Sequence, residues 1–139
     1  MEGRSTPMVP MIGAKRLSLI LALVATFAGV AYVGPSFWVR RPLPDGQLSL
    51  VVIIESAGPV WPVLFLLAAM VVAGSAISRR YVGYAHSFAA GVWGFYGTAI
   101  LLSAVYAEPP APILTGGLAL GATLIHLGMI RVWSDLGVK

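Results

Sequence analysis

The chain has 139 residues, of which 58% are hydrophobic and only 10% are charged, and its formal net charge at pH 7 is +4. A soluble globule of this size needs far more polar surface, so the composition excludes a soluble domain and indicates an integral membrane protein. The basic residues stand mostly in pairs at the ends of apolar runs, which is typical of membrane anchoring and not of nucleic-acid binding.

The chain begins with a short basic tail, residues 1–16, followed by 23 uncharged residues at 17–39. We expect the first spanning helix at about residues 14–33, because Gly34 and Pro35 end it. A basic start before an apolar core is also typical of a secretory signal peptide. We favour a span, since the apolar run is long and further spans follow.

Residues 34–56 form the one sizeable connection, an expected outer loop. Within it, Leu48 to Ile54 is apolar but too short to span as a helix, so it is a strand, an interfacial helix or the start of the next span. The second span is expected at residues 57–78. Its start is marked by Pro59 and Pro62, which a first helical turn tolerates.

The third and fourth spans, at about residues 82–105 and 112–133, form the centre of the expected fold. The third lies in an uncharged run of 27 residues and the fourth begins in one of 22 residues that ends before Arg131, and each run is long enough to cross a bilayer. Pro109, Pro110 and Pro112 forbid a continuous helix between them. We therefore expect an antiparallel hairpin with a short outer loop.

The basic residues orient these spans. With the N-terminus inside, seven lie on the inner face and two on the outer face: Arg4, Lys15, Arg16, Arg79, Arg80, Arg131 and Lys139 against Arg40 and Arg41. The sequence thus predicts one transmembrane domain over residues 1–139, an all-α four-helix bundle of the inner (plasma) membrane with both termini cytoplasmic.

Two histidines are the only ionisable groups in the cores of the spans. His86 and His126 lie roughly 9 and 7.5 Å below their flanking arginines, at about 1.5 Å per helical residue, so a hairpin brings them level. As a pair they are candidates for proton-responsive groups or for axial ligands of a haem. The ordinary interpretation, which we favour, is that each ring bonds a neighbouring helix or a water.

Small residues are the richest signal, because they let helices approach closely in lipid. Those of the third and fourth spans are candidates for helix packing, either within one chain or between copies: Ser87, Ala90, Gly91, Gly94, Gly97, Gly117 and Gly121. Span two adds two similar pairs, Ala69 with Ala73 and Gly74 with Ser78. Among the aromatic residues, Trp93 and Tyr96 are expected to fill the core, and the following fit interfacial belts: Trp38, Trp61, Tyr81, Tyr84 and Trp133.

No pattern points to catalysis. The chain has no cysteine, which excludes thiol chemistry. It also has no phosphate loop, no paired catalytic carboxylates, no Ser/His/Asp set and no metal-ligand spacing. Glu55 and Glu108 fall at the outer ends of spans, too shallow for a transport site. We expect no enzyme activity, no cofactor and no bound metal.

In its span arrangement, its Ala/Gly/Val-rich composition and its short basic tail, the chain resembles small polytopic membrane proteins of actinobacterial phages. These include four-span proteins found beside lysins and regarded as holins or holin partners. The resemblance implies a protein that oligomerises in the inner membrane until the bilayer is permeabilised. One difference is that the charged C-terminal tail of a holin is nearly absent. The alternatives are an accessory subunit packed against a larger membrane partner and a small oligomeric transporter or channel.

Overall fold

The structure is a computed structural model, which describes residues 8–35, 38–39, 49–106 and 113–138, apart from the side chains of residues 8, 9 and 106. The predicted proline turn at 107–112, the paired arginines of the outer loop and both chain ends lie outside these ranges. The described residues contain five α-helices and no strand, which confirms the all-α class. The helices are α1 (Met8–Val33), α2 (Leu50–Ser56), α3 (Val60–Ser78), α4 (Val82–Tyr106) and α5 (Ile113–Asp135).

Four of these helices, α1, α3, α4 and α5, are long and apolar enough to cross a membrane. This agrees with the composition and indicates a membrane protein. Helix α1 begins at Met8, earlier than the expected position near residue 14. Pro10 lies in its first turn, where an amide has no helical partner to lose, so the proline does not prevent the earlier start.

The short apolar segment before span two is a helix of its own, α2, and not a strand or an extension of α3. Gly58 separates the two helices with a φ of 144°, a conformation that favours glycine. Two side chains hold α2 in place: Ser103 Oγ accepts the Leu50 amide at 2.8 Å, and the Trp61 indole N–H donates to the Val51 carbonyl at 3.0 Å.

Helices α4 and α5 pack most extensively, and α1 packs mainly on α3. A Cβ at Gly83 would face Ile130 of α5, whereas one at Gly97 would face Gly116. Higher residue numbers in α4 contact lower residue numbers in α5, so the two helices are antiparallel. The hairpin expected from the sequence therefore has the predicted relative direction of its two helices.

The largest buried cluster lies where α1, α3 and α4 meet, with Trp61 and Phe65 of α3 completely enclosed. Tyr96 stands edge-on to both, at ring-centroid distances of 5.0 and 5.2 Å. Trp93 packs on Phe65 at 4.7 Å. Trp93 and Tyr96 thus fill the core as expected. A second cluster around Trp133 and Val82 lies at the opposite end of α4.

Candidate functional site

Two imidazole rings meet inside the protein. His86, near the start of α4, and His126, near the end of α5, bring their Nδ1 atoms to 2.8 Å. Their exposed fractions are 0% and 1%. The antiparallel packing of α4 on α5 makes this contact possible, because it sets the first turns of α4 beside the last turns of α5.

The contact belongs to a longer chain of hydrogen bonds that joins three helices. Ser18 Oγ of α1 lies 3.0 Å from His86 Nε2. The Trp133 indole of α5 donates its N–H to the same Ser18 oxygen at 3.0 Å. Ser18 and Trp133 are both fully buried. We call these four residues, Trp133, Ser18, His86 and His126, the polar chain.

The hydrogen bonds of the polar chain are consistent with two directions. The Trp133 indole N–H can only donate, so Ser18 Oγ accepts from it and keeps one proton and a second lone pair for His86. If Ser18 donates to His86 Nε2, neutral His86 donates from Nδ1 and neutral His126 has its proton on Nε2. If His86 Nε2 donates to Ser18, neutral His126 donates from Nδ1 and its Nε2 has no proton. In both cases the two Nδ1 atoms share one hydrogen bond.

The polar chain ends at a nitrogen without a hydrogen-bond partner. His126 Nε2 is buried and has no hydrogen-bond partner among the described residues. A buried polar atom left unpaired in this way costs about 1 to 3 kcal/mol relative to a bonded one. Since the other contacts of the polar chain are paired, this cost is concentrated at His126.

The sequence indicated the two histidines but missed Ser18 and Trp133. Ser18 stands in the ordinary apolar start of span one, and a lone serine there gives no signal. Trp133 and Trp61 were expected in an interfacial belt, and that prediction was wrong because both rings are fully enclosed by protein. The indole N–H of each explains the difference, since each finds a buried acceptor. Trp38, Tyr81 and Tyr84 are exposed, as a belt requires.

Ser18, His86 and His126 have the order of a nucleophile, a general base and an orienting group. A substrate would have to reach the serine, but Ser18 has no exposed surface and its oxygen already accepts from Trp133. A haem plane does not fit between the two Nδ1 atoms, because they bond each other directly. The described residues contain no group of three or more His, Cys, Asp or Glu that could hold a metal ion. The arrangement is suited to joining helices.

A second set of polar contacts lies toward the other end of the helices. The Tyr32 hydroxyl of α1 donates to the Tyr96 hydroxyl of α4 at 2.9 Å. Glu55, at the end of α2, accepts the Trp61 amide in the first turn of α3 at 3.3 Å. A carboxylate at a helix N-terminus is favoured by the helix dipole, which is the role that the sequence suggested for Glu55.

The small residues of α4 and α5 divide into two sets. The inner set packs the two helices together: a Cβ at Gly97 would lie 3.0 Å from the Gly116 carbonyl oxygen and 3.1 Å from Ala119 Cβ. Gly94 faces Thr123, and Ala90 is buried. These three positions of α4, Ala90, Gly94 and Gly97, are therefore used within one chain.

The outer set does not pack against the other described helices. A Cβ at Gly91, Gly117 or Gly121 would meet nothing within 4 Å, and the same holds at Gly128. Ser87 is exposed, and its hydroxyl bonds only its own helix. Gly117, Gly121 and Gly128 follow at intervals of four and seven residues, so they share one face of α5. We call this face the α5 glycine stripe.

The polar chain and the α5 glycine stripe are the two features of the described residues that most need a functional explanation. The first lies wholly inside the protein, whereas the second is open to lipid or to another helix. Comparison with protein-family models, with curated proteins and with solved structures finds no match to this chain.

Proposed function

We propose that this chain is a non-catalytic multi-pass protein of the inner membrane, which oligomerises through its outward small residues and permeabilises the bilayer in a holin-like manner. The long helices form a transmembrane four-helix bundle with both termini cytoplasmic. The partners are the lipid bilayer and further copies of the chain, and nucleic acid is not among them.

The observation that carries this proposal is the α5 glycine stripe. In lipid no hydrophobic force drives helices together, and close backbone approach at small residues supplies much of the attraction. Gly117 and Gly121 have the spacing of such a surface, and a Cβ at either position would contact no other described residue. Large exposed side chains flank them, with Leu118 and Leu124 at 67% and 69% exposed. Leu124 follows Gly117 by seven residues and therefore lies on the same face of α5, where a neighbouring helix would contact it together with the glycines.

The basic residues support the proposed orientation. Lys15 and Arg16 near the start of α1, Arg79 and Arg80 between α3 and α4, and Arg131 near the end of α5 lie toward one end of the helices. The contacts of Ser18 with His86 and of His86 with His126 join these three regions. A shared basic end is what the positive-inside rule expects on the cytoplasmic side.

The test is controlled expression in bacterial cells with a potential-sensitive dye. The wild-type chain should stop growth and collapse the membrane potential abruptly. The double variant Gly117→Leu, Gly121→Leu should delay or abolish the collapse at equal membrane abundance. Gly13→Leu is the matched control, since Gly13 of α1 is also exposed and a Cβ there meets nothing. Cells that keep their potential for hours with the wild-type chain would contradict the proposal.

The same surface also fits an accessory subunit of a larger membrane complex, in which the stripe packs on a different protein. The expression test separates the two. An accessory subunit is silent without its partner, and its stripe should not bring two copies together. A small oligomeric transporter or channel would instead show selective ion flux without abrupt growth arrest.

A further inference from the structure

A groove runs between α3 and α4 beside the turn that joins them. Its volume is about 450 Å³, and it is open to the surroundings. Ser78, Arg80, Tyr81 and Tyr84 line it near the turn, and Phe88 lines it further along α4. We call it the α3–α4 groove. None of the four residues of the polar chain lines it.

The groove is polar near the turn and apolar away from it. Val71 precedes Ser78 by seven residues, so at 1.5 Å per residue it lies roughly 10 Å further from the turn along α3. On the α4 wall of the groove, Phe88 lies one helical turn further from the turn than Tyr84. A ligand that follows the groove therefore needs a polar head and an apolar tail.

The polar end offers donors that pair with no other residue in the described ranges. Arg80 forms no ion pair with any described residue, and the hydroxyls of Tyr81 and Tyr84 have no hydrogen-bond partner in the same part of the chain. Tyr81 and Tyr84 are 70% and 78% exposed. By contrast, the Ser78 hydroxyl already donates to the Ser75 carbonyl. A guanidinium with two phenol groups suits a phosphate.

The charge around this end selects an anionic occupant. The first turn of α4 contains no acidic residue, and Arg79 stands beside Arg80 in the turn. Asp135, at the end of α5, is the one acid of the described residues near this end of the helices. A lipid with a net negative head group is attracted here, whereas a zwitterionic lipid brings its own positive charge to the arginines.

We propose that the α3–α4 groove binds an anionic phospholipid, with the lipid phosphate at Arg80 and an acyl chain between Val71 and Phe88. The site is independent of the proposed permeabilising activity, since it uses neither the α5 glycine stripe nor the polar chain. It gives the protein a preference among the lipids around it.

Native mass spectrometry of the purified full-length chain tests this site. The protein is released from detergent micelles that contain equal amounts of phosphatidylglycerol and phosphatidylcholine. The phosphatidylglycerol adduct should dominate for the wild-type chain. Arg80→Gln should reduce that preference about fivefold, the effect of losing one arginine that interacts directly with an anionic head group. Arg131→Gln is the matched control, because Arg131 is exposed at the same end but lies outside the groove.

Arg80→Lys separates charge from folding. It should keep most of the preference, and its thermal unfolding should match that of Arg80→Gln. An equal loss in Arg80→Gln and Arg131→Gln would overturn the proposal, because the preference would then be a general effect of positive charge. Competition by millimolar inorganic phosphate would also overturn it, since a free anion would then suffice and the groove would have no role.

Discussion

His86 Nδ1 lies 2.8 Å from His126 Nδ1, and this hydrogen bond joins the start of α4 to the end of α5 in a fully buried setting. Ser18 extends the connection to α1. The two longest sequence separations among the side-chain hydrogen bonds of the described residues, 115 and 68 positions, both occur at Ser18. The polar chain therefore fixes how α1, α4 and α5 meet.

Ser18→Ala should destabilise the protein because it removes two contacts at once. The Trp133 N–H loses its acceptor and His86 Nε2 loses its hydrogen-bond partner, and each buried group left unpaired costs about 1 to 3 kcal/mol. Thermal unfolding in detergent measures the effect. Ser87→Ala is the control, since the exposed Ser87 hydroxyl bonds only the Gly83 carbonyl of its own helix. Equal stability of the two variants would show that the polar chain contributes nothing.

The losses of unfolding free energy caused by His86→Ala and His126→Ala should be non-additive. His86→Ala removes the hydrogen bond of His126 Nδ1, so a further His126→Ala removes a group that has already lost its bond. Direct hydrogen bonds between membrane helices give coupling energies of about 0.6 to 1.7 kcal/mol. A double-mutant cycle of unfolding free energies in lipid or detergent measures the coupling. Purely additive single effects would reject the pair.

Gly97→Ala should destabilise the protein and Gly91→Ala should not, because the two glycines lie on different faces of α4. Gly97 lies on the face of α4 that packs against α5. A Cβ at Gly97 would lie 3.0 Å from the Gly116 carbonyl oxygen and 3.1 Å from Ala119 Cβ. Overpacking of this kind costs about 1 to 3 kcal/mol. A Cβ at Gly91 meets nothing. Thermal unfolding should therefore show a loss for Gly97→Ala and none for Gly91→Ala.

Ser103→Ala should release α2 from α4. The Ser103 hydroxyl accepts the Leu50 amide at 2.8 Å, while it donates to the Ala99 carbonyl within its own helix. Hydrogen–deuterium exchange should become faster at the amides of residues 50–56 and stay unchanged in α5. Ser56→Ala serves as control, since the Ser56 hydroxyl bonds only the nearby Ile53 carbonyl. Unchanged exchange in α2 would contradict this role of Ser103.

The sequence predicted the helical class and the four apolar segments well, because charge-free runs and prolines report directly on helix length. It also predicted that His86 and His126 lie at one level, since an antiparallel hairpin fixes the depth of both. The partners of the histidines were missed. Ser18 belongs to a helix 68 residues away from His86, and which face of α1 meets α4 depends on packing that no local pattern records.

The small residues show the same limit. Gly97 and Gly117 look equivalent in the sequence, because each stands in a run of small and apolar residues. In the structure Gly97 packs against α5, whereas Gly117 is exposed and a Cβ there would contact no other described residue. The distinction arises from the rotation of each helix about its axis. With apolar residues on all sides of α4 and α5, the sequence gives no amphipathic face from which to read that rotation.

Copies of this chain should meet along the α5 glycine stripe, and disulfide cross-linking in native membranes tests this contact most directly. The chain has no cysteine, so a single introduced one reports one position. Gly117→Cys should give a cross-linked dimer on mild oxidation. Val30→Cys is the control and should give no dimer, although Val30 of α1 is 51% exposed. It lies at about the same level along the helices as Gly117, because Tyr32 bonds Tyr96 and the neighbouring Gly97 packs against Gly116. Equal dimer yields at both positions, or no dimer at Gly117→Cys, would contradict the claim.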